Sequence, residues 1–259
     1  MQWAATCQMK NLFTQNRVIS LSAVILLLIL WEILSVTSGS DQILPGPDDT
    51  LVTLARMAGT TAFYHSLLVT LLRGLLGFAL ALAVALALGI PAGLNSGFEA
   101  AIRPVIVIFR STPVISIILL ALIWFQVNQV PVFIGFLTMF PILTTNISQG
   151  IRHTEPSFIQ MARLYAVSDS RILREIYLPS ILPWLVSGIS TAVGFGWRSV
   201  IIGEVLSQPR YGIGALMQDA QSFLLVSEVI AWTLVAILIG SLFEWLIHRG
   251  EKRIIRWKP

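Results

Sequence analysis

The sequence predicts an all-α, polytopic membrane protein with about six membrane-spanning helices. Three observations predict it. Of the 259 residues, 56 % are hydrophobic and 12 % charged, about half the charge fraction of a soluble globular domain. Mean hydropathy is +0.81. The apolar residues also come in continuous runs of roughly the 20 residues that a helix needs to cross a bilayer, without the period-two alternation of a membrane barrel.

Six runs qualify, at residues 18–36, 67–91, 102–127, 131–150, 181–206 and 223–248. The first follows Lys10 and Arg17 and resembles a signal peptide at its start. It is longer than a signal core, and residues 37–41 lack a small-x-small cleavage signal, so it reads as a retained span. The second is dense in small residues, among them Gly74, Gly77, Ala81, Ala85 and Gly89, as close helix packing in lipid requires. Pro45 and Pro47 block a continuous helix after the first span, leaving room for a short amphipathic helix. Residues 207–222 read as a Gly- and Gln-rich loop.

Net charge is +4, from 17 Lys and Arg against 13 Asp and Glu. The cations sit at the edges of the apolar runs, which points to membrane topology and not to a nucleic-acid stripe. With the N-terminus inside, Lys10, Arg17, Arg103, Arg152, Arg163, Arg171, Arg174, Arg249, Lys252, Arg253, Arg256 and Lys258 fall on or near the cytoplasmic side, and Arg56 and Arg210 outside. Both termini are therefore predicted to be cytoplasmic. The organisation predicted is a first span and extracytoplasmic linker over 1–66, a core over 67–250 with a polar helical hairpin at 152–179, and a basic tail over 251–259.

The hairpin carries the most information. Pro156 suits a first helical turn. Phe158, Met161, Ala162 and Tyr165 share one face. Ser168 reads as the N-cap of a second short helix, with Asp169 at its positive end. Ile172, Leu173, Ile176 and Tyr177 then recur at helical spacing, and Pro179 marks entry to the fifth span. Such a knob suits a groove on a partner protein or an interfacial position against lipid headgroups.

Some chemistry is absent. The single cysteine, Cys7, allows neither an internal disulfide nor a cysteine metal cluster. His65, His153 and His248 are scattered and offer no metal-ligand spacing. There is no Gly-x-x-x-x-Gly-Lys-Ser/Thr and no Gly-x-Ser-x-Gly. No cofactor and no enzymatic activity are expected of the chain itself. A membrane-embedded enzyme or assembly factor is the reading from another class, and it would need polar residues clustered at one depth. Arg73, Arg110, Arg198 and Glu204 stand inside apolar runs, where charge must snorkel, pair or line water. Arg73 and Glu204 read as placed at the outer interface. Arg198 and Glu204 are about 9 Å apart along one helix and off a common face, so they are not expected to pair. Arg110 and Arg198 are candidates to line a path, whose positive charge would favour an anion.

Residues 160–168, followed by 176–179, resemble the "EAA" loop of ABC importer permeases. Gln160 stands for the Glu, Met161 for the first Ala and Ala162 for the second. Ala166 stands in the Gly position, and Leu178-Pro179 match the close. Pro45-Gly46-Pro47, His65-Ser66-Leu67 with Arg73 and Gly77, Ser111-Thr112-Pro113, Trp197, Gly203-Glu204 and Tyr211 to Gly214 resemble the nitrate/sulfonate/taurine branch over nearly the whole chain. The resemblance implies the type I importer permease fold in a bacterial cytoplasmic membrane, with two permease copies paired. It implies two cytoplasmic ATPases that hydrolyse ATP, and an extracytoplasmic solute-binding protein. The implied ATPase-coupling residues are Phe158, Gln160, Met161, Ala162, Arg163, Tyr165, Ala166, Ser168, Arg171, Leu178 and Pro179. The fifth span would border the dimer axis, which adds Trp197 and Glu204 to Arg110 and Arg198 as path candidates. The implied cargo is a small solute, with sulfonate, nitrate, taurine or a similar anion favoured and a neutral or cationic heterocyclic vitamin or precursor as the alternative.

Overall fold

The computed structural model of the chain describes residue 19, residues 22–40 and residues 43–254, with the backbone alone for 252–254. Cys7, Lys10, Arg17, Arg256 and Lys258 lie outside the described residues, as do the side chains of Lys252 and Arg253. Among the described residues all regular structure is helical. Helix α1 covers Ser22–Ser38 and α2 Pro47–Ala58. Helices α3 (Thr61–Leu94), α4 (Ser96–Ser111), α5 (Val114–Trp124) and α6 (Val130–Arg152) follow. Then come α7 (Pro156–Leu164), α8 (Asp169–Ile172), a π-helical turn (Leu173–Tyr177), α9 (Leu178–Ser207), α10 (Ile213–Ser222) and α11 (Val226–Ile254).

Among the described residues four helices can cross a membrane by length and apolarity: α3, α6, the continuous Asp169–Ser207 and α11. A fifth span results if α4 and α5 together count as one. The described part of α1 is 17 residues, about 25 Å long, and its predicted first residue, Val18, lies outside the described residues.

Two expectations need correction. The third predicted span, 102–127, is not straight: α4 and α5 meet at 98°. Pro113 has no N–H to continue the ladder, and it holds Thr112 in an extended conformation, φ −75° and ψ 129°. The second is residues 207–222, read as a loop: Ile213–Ser222 forms helix α10. Pro179 does stand at the entry to the fifth span, but without a break. The helix runs unbroken from Asp169 to Ser207. The π-turn shifts the register, with the Leu178 N–H donating to Leu173 O, so Pro179 falls in the first turn of the resumed α-helix. There its missing N–H is tolerated.

The described chain forms two compact units. The first comprises residues up to Thr60 together with Asp219–Thr233. In it the Trp31 indole donates to Pro45 O at 3.0 Å and the Ser35 hydroxyl to Leu44 O at 2.9 Å, folding the connection back along α1. Pro47 then opens α2, whose first turn carries Asp48 and Asp49, favourable at a helix N-terminus.

The second unit comprises Thr61–Gln218 and the chain from Leu234 onward. Its core is α6, the most buried span, between α3 and α9. The buried positions of α3 are Phe63, Ser66, Thr70, Arg73, Gly77, Ala81, Ala85, Gly89 and Ala92, spaced three or four apart as one helical face requires. At Gly89 a Cβ would lie 3.0 Å from the Ile147 side chain, so the small residue favours the close approach of α3 and α6. Met139, Leu143, Ile147 and Ile181 fill the interior. Leu68, Leu72, Leu75, Leu76 and Leu80 stand exposed on the other side of α3, as a lipid-facing surface does.

Candidate functional site

Three constructions stand out in the second unit. The first is a polar cleft of about 450 Å³ lined by Arg110, Thr138, Pro141, Ile142, Thr145, Asn146, Gln149, Thr191 and Phe195. Arg110 reaches it from the last turn of α4, where a cation complements the helix dipole. The other residues come from the middle turns of α6 and α9. A second cleft, about 430 Å³, shares Arg110, Thr145 and Gln149 and adds Glu99, Ile102, Arg103, Ile106, Val107 and Ser148. Exposed polar and cationic side chains in mid-span are incompatible with an acyl-chain environment. This face belongs against water or protein.

The second is the hairpin. Helix α7 closes with a Schellman motif: Val167 N–H donates to Ala162 O and Ala166 N–H to Arg163 O, each at 3.0 Å. The motif needs a left-handed residue after the cap, and Ala166 adopts φ +53°. Ser168 occupies the N-cap position of α8, but its side chain does not cap the backbone; its hydroxyl lies 3.4 Å from that of Ser170. Arg171 and Glu175 pair at 2.9 Å on the exposed surface, a contact worth about 0.3–0.5 kcal/mol. Ala162 is buried, whereas Phe158, Met161, Leu164 and Tyr165 are exposed, Leu164 by 86 %. The hairpin thus offers an uncovered apolar tip.

The third is a buried polar knot. Glu204, fully buried on α9, accepts from Arg73 at 2.6 Å, from the Thr70 hydroxyl at 2.9 Å and from Gly214 N–H at 3.0 Å. Arg73 also donates to Tyr211 O at 2.7 Å and to Asn128 Oδ1 at 2.9 Å. Thr70 Oγ1 accepts the Ile213 N–H at 2.8 Å. The knot ties α3, the α5–α6 connection and the α9–α10 turn together. Gly212, at φ +146°, leaves room for the carboxylate: a Cβ there would sit 2.6 Å from it.

The model of the binding-protein-dependent transport system inner membrane components matches residues 79–256. The chain belongs to this family of transport permeases. It is 32 % identical over 222 residues to the putative aliphatic sulfonates transport permease protein SsuC of Escherichia coli K12, covering 85 % of this chain and 84 % of that one. It is 27 % identical to the taurine transport system permease protein TauC of the same organism, over 90 % of this chain and 86 % of that one. The bicarbonate transport system permease protein CmpB of Synechococcus elongatus is 27 % identical over 91 % of this chain and 88 % of its own.

In this ABC permease the path candidates separate. Arg110 lines both clefts. Arg198 is exposed two helical turns beyond Thr191, on the same side of α9. Trp197 points elsewhere: its indole donates to Ala236 O at 2.9 Å, its ring meets Phe243 edge-on, and it lines an apolar groove with Gly74, Phe78 and Leu246. Glu204 is sealed in the knot and lines neither of the two polar clefts. Of the coupling candidates, Phe158, Gln160, Met161, Arg163, Tyr165, Ala166, Ser168 and Arg171 are exposed, while Leu178 and Pro179 begin α9. Sequence reasoning did not single out Asn146, Gln149 and Ser148. A run of polar residues, Thr144 to Ser148 with Gln149, inside the otherwise uncharged fourth span was the available signal. Among the described residues no group of three His, Cys, Asp or Glu could hold a metal ion.

Proposed function

We propose that the chain is the path-forming subunit of an ATP-driven importer of a small anion. Two copies pair across the polar face, and both termini lie in the cytoplasm. The α7–α8 hairpin docks on a separate cytoplasmic ATPase, and an extracytoplasmic binding protein delivers the solute. The observation that carries this is the mid-span cleft in which Arg110 has no partner among the described residues. A cation held there without a counter-charge attracts an anion, and the surrounding low dielectric strengthens the attraction. The relatives' names support an anionic cargo: sulfonates, taurine and bicarbonate each carry an anionic oxygen group. The exposed apolar tip at Phe158, Met161, Leu164 and Tyr165 supports docking into a protein groove. Uptake by the complex assembled with its ATPase and binding protein tests the reading. Inward transport of an alkanesulfonate or another small anion, dependent on ATP, is expected. Transport of a cationic or neutral solute with no anion competition would overturn the anion assignment.

A further inference from the structure

We propose that Arg103 forms a second anion-holding station, to which a small oxyanion passes from Arg110 on its way along α4. The proposal rests on the permease reading above. The two clefts share Arg110, Thr145 and Gln149, so they are immediate neighbours with Arg110 on their boundary. Helix α4 contributes Glu99, Ile102, Arg103, Ile106, Val107 and Arg110 to the lower one, a single face at helical spacing. Arg103 and Arg110 lie two turns apart, about 10 Å along the axis.

The charges there do not cancel. The Glu99 carboxylate is engaged by Arg152 at 2.8 Å, and Arg152 also donates to Ala92 O. Arg103 and Arg110 have no partner among the described residues. The hydrogen-bonding groups are equally one-sided. Thr144 and Thr145 turn their hydroxyl protons to their own helix, donating to Phe140 O at 2.8 Å and Pro141 O at 2.7 Å. Ser148, only 6 % exposed, has a hydroxyl without a hydrogen-bond partner, an arrangement that a buried polar atom rarely keeps. The Gln149 amide has no side-chain partner either. The groups that face the clefts without a partner are two guanidiniums and one amide, against no free carboxylate; the Ser148 hydroxyl lies closed beneath them. Guanidinium forks match oxyanions in shape as well as charge, and this set repels a cation.

The test uses the full-length chain in everted membrane vesicles, with Cys7→Ser as background. A reporter cysteine is placed by Ile106→Cys in the lower cleft or by Thr138→Cys in the upper one. Each is labelled with methanethiosulfonates carrying either an ethylsulfonate or an ethyltrimethylammonium group. At Ile106→Cys the anionic reagent is expected to react faster, and ethanesulfonate to protect. Adding Arg103→Gln lowers the anion-to-cation rate ratio there about tenfold and leaves the Thr138→Cys ratio within about twofold. An unchanged ratio at Ile106→Cys, or an equal fall at both positions, overturns the station. If Arg103→Gln does not reach the membrane, Arg103→Lys is read instead. Lysine keeps the charge and loses the fork, so ethanesulfonate protection weakens severalfold; undiminished protection overturns the proposal. Failed uptake with the Ile106→Cys preference intact counts against the permease reading alone. Anion uptake with the preference absent counts against the station alone.

Discussion

Arg73 on α3 and Glu204 on α9 lie 131 residues apart in sequence and 2.6 Å apart in space. Both are buried, with 8 % and 0 % of their side chains exposed. Breaking such a pair strands a buried charge. Arg73→Ala or Glu204→Ala is expected to lower stability by about 3–5 kcal/mol, and the paired Arg73→Leu/Glu204→Leu variant by much less than the sum. Thermal unfolding of the detergent-solubilised chain checks this. Single variants as stable as the double would show that the pair carries no coupling.

Ala166 holds φ +53° at the end of α7, a conformation that costs an L-residue about 1–2 kcal/mol. Ala166→Gly is expected to relieve most of this strain, offset by the greater freedom of glycine in the unfolded chain. Hydrogen exchange at the Val167 amide, which donates to Ala162 O, should slow about threefold. Ala166→Val, β-branched, should speed it.

The apolar tip of the hairpin predicts a separable defect. Leu164→Ser together with Tyr165→Ser is expected to reduce the ATPase recovered with the purified permease about tenfold, with the amount of chain in the membrane unchanged. Equal recovery of ATPase would place the tip against lipid headgroups instead.

Arg110→Gln and Arg198→Ala are expected to lower uptake at least about tenfold while the complex assembles and hydrolyses ATP. Uptake and ATPase rate measured on the same preparation decide this. Loss of assembly and transport together would assign these arginines to packing.

Much of this fold is legible in the sequence because lipid imposes a simple rule. Apolar runs long enough to span become helices, and α3, α6, α9 and α11 enclose or nearly coincide with the runs read for them. What composition cannot record is direction. The run over 102–127 is interrupted near its middle by Arg110-Ser111-Thr112-Pro113, and the chain turns by 98° there; that short polar stretch and its pre-proline residue were the local sign. The π-turn at Leu173–Tyr177 carries no compositional mark at all. The Arg73–Glu204 pair depends on which faces of two distant helices meet, and periodicity within either helix does not contain that information. Trp197 and Arg198 are neighbours in sequence, and a turn of about 100° separates an apolar groove from the polar face. Ala166 stands where the resembling loop carries Gly, a sign of the left-handed residue that the sequence reading did not draw.

The unbroken helix from Asp169 to Ser207 is 39 residues long, roughly 58 Å from end to end. Its far end is fastened through Glu204 to α3, and its near end follows directly on the exposed apolar tip of α7. It is therefore a lever with a fixed pivot. A push delivered at Arg171 cannot slide the whole shaft outward; it must swing the shaft about the Arg73–Glu204 pin or flex it at Leu173–Tyr177, where the helical ladder is already widened. In a swing, displacement grows with distance from the pin, so Thr191 and Phe195 travel farther than Arg198; in a flexure, the movement stays on the near side of Leu178.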